Sequence, residues 1–128
     1  MNSTELYQNN RLERYVTELM LELGVPAHLR GYQYLREAII LSKFDMELVG
    51  SVTKLLYPEI SKKFHVTDQK VERGIRNAIE VSRERGNTER FEEIFGYSVE
   101  NGKKRPTNSE YIARIADRIN FDVHEANK

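Results

Sequence analysis

The sequence predicts an all-α domain of about six helices with a helix-turn-helix embedded in it. Three observations predict the helical class. Apolar residues recur three and four positions apart along most of the 128 residues. Glycine and proline divide that pattern into helix-length pieces. Between Tyr57 and Glu80 two short apolar stripes are separated by only a three-residue break.

Residues 1–10 are polar and read as a flexible N-terminal segment, 11–122 as the helical domain and 123–128 as a C-terminal tail. From Arg11 to Leu23, residues Leu12, Val16, Leu19, Met20 and Leu23 form one stripe, and Gly24 with Pro26 ends it. A second helix from Gly31 to about Lys43 carries Tyr34, Leu35, Ala38, Ile39 and Leu41. Asp45 is placed to cap a third, through Leu48, Val49, Val52, Leu55 and Leu56. Pro58 suits the first turn of the next helix, where its missing N–H costs nothing.

In the helix-turn-helix, Ile60 and Phe64 face inward from the first helix, and Val71 and Ile75 from the second, with Val66 between. Ser61 is small enough for two short helices to cross closely. His65 falls in the turn, where a left-handed residue is often needed. Thr67 is the expected N-cap, with Asp68 in the first turn where a negative charge suits the helix dipole. The second helix is expected to run to Arg85 and to end at Gly86-Asn87. A shorter one follows from Thr88 to Phe95, stopping at Gly96. Residues 97–106 read as a loop or hairpin around Asn101-Gly102. Thr107 or Asn108 then caps a last helix from Ser109 to about Ile119, with Tyr111, Ile112, Ile115, Ala116 and Ile119 inward. Tyr32, Tyr34, Tyr57 and Tyr111 are read as core or near-core.

Composition narrows the function classes. A content of 39% hydrophobic and 31% charged residues suits a soluble domain. No apolar run approaches the roughly 20 residues that span a bilayer, and the N-terminus lacks a signal-peptide layout. No membrane partner is therefore expected. The absence of cysteine excludes disulfides and fits a cytoplasmic location. His28, His65 and His124 are too scattered for a metal site, so no cofactor is expected, and His28 reads as a buried or capping residue. No nucleophile elbow, phosphate-binding glycine loop or carboxylate pair argues for an enzyme.

A net charge of zero weighs against nucleic-acid binding, but the charge is uneven. Residues 1–50 hold five Lys/Arg against seven Asp/Glu, whereas residues 54–76 hold six against three. Local field, not total charge, brings a polyanion to one face. With Val71 and Ile75 inward, Asp68, Gln69, Glu72, Arg73 and Arg76 project outward. Arg73 and Arg76 can each give guanine two hydrogen bonds. Glu72 either accepts from a cytosine amino group or holds an arginine in place. Lys62 and Lys63, at the end of the first helix, lie where phosphate contacts usually fall. The same face also reads as a solvated surface laced with Glu72–Arg76 and Arg76–Glu80 pairs. Lys103, Lys104 and Arg105 either grip DNA or form a solvated loop, and Thr107, Asn108 and Ser109 add donors at a helix start. Gly74, in mid-helix, permits close approach of a neighbouring helix or of the DNA backbone, or is a neutral position, with packing the favoured reading.

The runs ELGVPAHLRGYQYLREAI (22–39), VTKLLYPEISKKF (52–64), VERGIRNAIEV (71–81) and RPTNSEYIARIADRI (105–119) resemble the DNA-binding effector domain of stage 0 sporulation protein A, the response regulator of endospore formation. The resemblance covers roughly residues 12–120. It implies a six-helix domain of the winged-helix-like kind found in response-regulator effector domains, one that binds double-stranded DNA at TGTCGAA-type boxes in tandem and switches promoters on or off. It implies base reading by Glu72, Arg73 and Arg76, with Thr67, Gln69, Lys70 and Asn77 at or near the backbone. It further implies contact with the RNA polymerase sigma factor from about Gly86–Phe95, through Asn87, Glu89, Arg90 and Glu93. Gly74 stands where the family usually has alanine, Asn77 where it commonly has histidine, and Asp68-Gln69-Lys70 where small residues are usual. The family's receiver domain has no counterpart in this chain, so a free monomer is expected. A helical protein-interaction module that keeps the fold without specific DNA binding is the alternative.

Overall fold

The computed structural model describes residues 2–96 and 106–126, and among these it contains six α-helices and no strand. They are α1 (Ser3–Glu22), α2 (Arg30–Phe44), α3 (Tyr57–Phe64), α4 (Asp68–Arg85), α5 (Thr88–Phe95) and α6 (Asn108–Ala126). The helices expected at 68–85 and 88–95 form with those bounds. The hairpin expected around Asn101-Gly102 lies outside the described residues.

Three elements differ from expectation. The first helix begins at Ser3 rather than Arg11, because Asn2 caps it: Asn2 Oδ1 accepts from the Glu5 N–H at 2.8 Å and Asn2 Nδ2 donates to Glu5 Oε1 at 3.1 Å. Its opening turns bury no apolar stripe, so hydrophobic periodicity could not show them. The third helix is not regular. Asp45 does accept from the Glu47 N–H at 3.1 Å, but a 3₁₀ segment (Met46–Ser51) and a π turn (Val52–Leu56) follow. Gly50 and Ser51 are weak helix formers, and Pro58 supplies no N–H to the regular ladder. The last helix continues past Ile119 to Ala126. His28, expected buried or capping, is exposed in the link between α1 and α2.

Helix α2 is the centre of the fold. It packs most extensively on α4, then on α6, and also on α1 and α3. Tyr34, Leu35, Ala38 and Ile39 from α2 meet Val71, Ile75, Ala78 and Ile79 from α4 and Ile112, Ile115 and Ile119 from α6 in one core. Each leucine, isoleucine or valine among them, fully buried, contributes about 1.5–3 kcal/mol. Where α2 crosses α4, backbone meets backbone: a Cβ on Gly31 would lie 1.9 Å from the Gly74 carbonyl oxygen. Glycine at both positions permits that approach, which assigns Gly74 to packing. Phe91 then meets Phe95 at a tilt and Phe95 stacks on Tyr111, with ring centroids 4.6 Å apart at each step, which attaches α5 to α6.

One buried polar junction joins three helices. Ser82 Oγ donates to the Leu23 carbonyl at 2.6 Å, at the end of α1. Its proton is thereby committed, so Tyr111 donates to Ser82 Oγ at 2.7 Å. Burial pushes the Tyr111 hydroxyl well above the usual phenol range, which keeps it a donor. Among the described residues no helix is long and apolar enough to cross a membrane.

Candidate nucleic-acid interface

The turn between α3 and α4 is fixed by its own hydrogen bonds. His65 takes the left-handed conformation (φ 56°), and the Val66 N–H reaches back to the Ser61 carbonyl at 3.1 Å. This closes the end of α3 as a Schellman turn with histidine in the place glycine usually fills. Thr67 Oγ1 accepts from the Lys70 N–H at 3.2 Å, capping α4 as expected. Across the turn Ser61 Oγ donates to Asp68 Oδ1 at 2.6 Å. The Asp68 carboxylate is thus a clip between the two helices.

Helix α4 buries Val71, Ile75, Ala78, Ile79 and Ser82 and leaves Asp68, Gln69, Lys70, Arg73, Arg76 and Asn77 exposed. Glu72 lies at the margin of that surface, and its Oε1 is 3.3 Å from Arg76 Nη1. No carboxylate forms an ion pair with Arg73 among the described residues. The outward strip is bordered by the π turn before α3. Thr53 and Tyr57 from that segment, with Asp68, Gln69, Glu72, Arg73 and Arg76, line a groove of about 360 Å³.

The start of α6 flanks the same helix, beside Glu72 and Arg76. Asn108 Nδ2 donates to the Tyr57 hydroxyl at 3.0 Å and to the Glu72 carbonyl at 3.2 Å. Both amide protons are engaged within the fold. Ser109 Oγ donates to the Val49 carbonyl at 2.9 Å. Thr107, not Asn108, is the cap: it accepts from the Glu110 N–H at 3.1 Å while its own N–H reaches Glu110 Oε1 at 3.2 Å. Burial raises the Tyr57 hydroxyl above its ordinary value, although the Asn108 hydrogen bond acts the other way.

The expected site residues therefore divide by their surroundings. Gln69, Glu72, Arg73 and Arg76 share one strip, with Thr67 and Lys70 at its start and Asn77 beyond it. Lys62 is exposed on α3, and Lys63 Nζ lies 2.7 Å from Glu37 Oε2 of α2. Asn108 and Ser109 are tied inward. Lys103, Lys104 and Arg105 lie outside the described residues. On α5, Asn87 Oδ1 caps the helix by accepting from the Arg90 N–H at 2.9 Å, and Glu89 is exposed. Arg90 pairs with Glu22 at 3.1 Å and Glu93 at 3.0 Å, and Glu93 also meets Arg118 at 2.6 Å.

Periodicity missed Thr53, Tyr57, Ser61 and Glu37 as neighbours of this surface. Tyr57 reads as an apolar-stripe tyrosine, and the other three meet their partners only after folding. Among the described residues no cluster of three His, Asp or Glu side chains is set to hold a metal.

An exposed arginine-bearing helix, capped and clipped to a short partner helix, has the geometry of a recognition helix on its support. The family model described as sporulation initiation factor Spo0A C terminal matches residues 16–119. That span includes both helices of the motif, the π turn and the α6 residues that brace them. This chain belongs to that family, the DNA-binding effector domains of sporulation initiation.

Proposed function

We propose that this chain is a sequence-specific transcription regulator of sporulation initiation that lays α4 in the major groove of TGTCGAA-type boxes. The observation that carries this reading is the Glu72–Arg76 pair on a strip that also exposes Arg73. A carboxylate 3.3 Å from Arg76 restrains a long side chain before it meets a base, which lowers the entropy lost on binding. Arg73 and Arg76 read guanine, and Glu72 orients Arg76 or accepts from a cytosine amino group. Lys62, Lys63, Gln69, Lys70 and Asn77 serve the backbone, as do Lys103, Lys104 and Arg105. Thr67, Asn108 and Ser109 serve it by positioning helices.

Helix α5 presents Glu89 and the Asn87 cap toward the RNA polymerase sigma factor, while Arg90 and Glu93 brace that helix against α1 and α6. The chain is a monomer when free. It gains avidity on tandem boxes in the cytoplasm and switches promoters on or off.

Titrating the chain against tandem-box and scrambled duplexes over a range of salt tests this reading. Specific binding is expected to exceed non-specific binding by about 10³ or more, and affinity should fall steeply with salt. Equal affinity for both duplexes would reduce α4 to a phosphate contact. No binding at low salt would favour a helical protein-interaction module instead.

A further inference from the structure

We propose that Glu37 competes with a DNA phosphate for Lys63, so that the fold itself weakens that backbone contact and holds affinity down on every sequence. The inference rests on the DNA-binding reading above.

Three features keep Lys63 at home. Its Nζ lies 2.7 Å from Glu37 Oε2, the distance of a charge-assisted hydrogen bond. It sits in the last turn of α3, where the helix dipole favours a cation. It also lies 5.7 Å from the centroid of the Phe64 ring.

The two partners are not equivalent. The Glu37 side chain is only 18% exposed, whereas that of Lys63 is 57% exposed. Glu37 is thus the fixed half, placed by α2, the central helix of the fold. Lys63 is the half that can leave. When Lys63 turns to a phosphate, a partly desolvated carboxylate loses its cation, and that penalty opposes the new contact. The neighbouring Lys62 is exposed and has no ion pair among the described residues, so it meets phosphate without such opposition.

Phosphate contacts carry no sequence information. Restraining one of them lowers affinity uniformly and leaves discrimination to Arg73 and Arg76. A chain with no net charge whose motif is locally basic shows the same restraint at larger scale.

The test is an anisotropy titration of the full chain, Glu37→Gln, Lys63→Gln and the double variant. Each is measured on tandem-box and scrambled duplexes across salt, and thermal melts report folding. Glu37→Gln should tighten both duplexes by roughly three- to tenfold at moderate salt, and should steepen the salt slope by up to about 0.9. In the Lys63→Gln background it should change neither. Should Glu37→Gln fail to fold, Glu37→Asp, which withdraws the carboxylate by one methylene, carries the same expectation. Unchanged affinity in the single variant overturns the role of Glu37, as does an equal gain without Lys63. If the unaltered chain binds neither duplex at low salt, the DNA-binding reading falls, and this inference with it.

Discussion

Arg73 and Arg76 stand three residues apart on the exposed strip of α4, yet their surroundings differ. Arg76 is held by Glu72 at 3.3 Å, while Arg73 has no such carboxylate among the described residues. Replacing either with alanine should cost about 1–3 kcal/mol on a TGTCGAA-type duplex and relax preference at one position. Arg76→Ala should cost more than Arg73→Ala, because it leaves the Glu72 carboxylate facing phosphate without its partner. Competition with single-base variants of the box checks this: an equal loss on every sequence would make that arginine a phosphate contact. Asn108 gives the opposite signature. Its amide holds Tyr57 and the Glu72 carbonyl, so Asn108→Ala should lower stability by about 1–3 kcal/mol. It should weaken all duplexes alike with the salt slope unchanged. A slope reduced by about one would show that Asn108 touches phosphate itself. Helical spacing was enough to place Arg73 and Arg76 outward. It could only show Asn108 as a donor at a helix start, because Tyr57 and Glu72 come to it through tertiary packing.

At the scale of elements, the crossing of α2 on α4 sets where the recognition helix lies. A Cβ on Gly31 would meet the Gly74 carbonyl oxygen at 1.9 Å, and neither backbone can yield without moving a helix. A Cβ on Gly74 would meet the Tyr34 ring at 2.9 Å and, less closely, the Gly31 Cα at 3.2 Å; that ring is packed edge-on to Phe64 with centroids 5.3 Å apart. Gly31→Ala should therefore destabilise by about 3 kcal/mol, at the upper end of overpacking costs. Gly74→Ala gains about 1 kcal/mol of helix propensity against the displaced ring, for a net loss below about 2 kcal/mol. Urea denaturation of the two variants should give that order; the reverse would mean that Tyr34, not the backbone, controls the crossing. The elements legible in the sequence were those with strong local signals. Helix α4 had Thr67 before it and Gly86 after it, and α5 ended at Gly96, which adopts a left-handed conformation. The start of α1 and the 3₁₀ and π segments were not legible. The first buries nothing periodic, and the second still places Val49 and Leu56 in the core as a regular helix would. Apolar spacing records which residues are buried, not how tightly the backbone winds.

For the whole molecule, a chain of polar contacts ties α1, α5 and α6 together on the surface. Glu22 meets Arg90, Arg90 meets Glu93, and Glu93 meets Arg118, which pairs with Asp122 at 3.4 Å. Asp122 in turn accepts from the Tyr15 hydroxyl. Only the Arg90–Glu93 and Arg118–Asp122 links have a helical spacing that the sequence could show; the others join different helices and were not legible. Two groups of the network respond to pH in opposite directions. The Arg118 hydrogen bond, with the Arg90 charge behind it, holds the Glu93 carboxyl below the usual carboxylate range. Its contribution is present above the unfolded value of about 4.3 and is lost as pH falls through the lower folded value. Burial, and next the bond to Asp122, pushes the Tyr15 hydroxyl up to about 12. That contribution is complete below the unfolded value of about 10 and is lost as pH rises through about 12. Glu93→Gln should therefore flatten the acid limb of a melting-temperature profile and leave the alkaline limb alone. Tyr15→Phe should do the reverse, and only in part, since Tyr57 and Tyr111 are also raised by burial. Because Glu93 is exposed, the acid effect should shrink in high salt while the tyrosine effect persists. If both variants shifted the whole profile by the same amount at every pH, the network would be a packing feature with no titrating role.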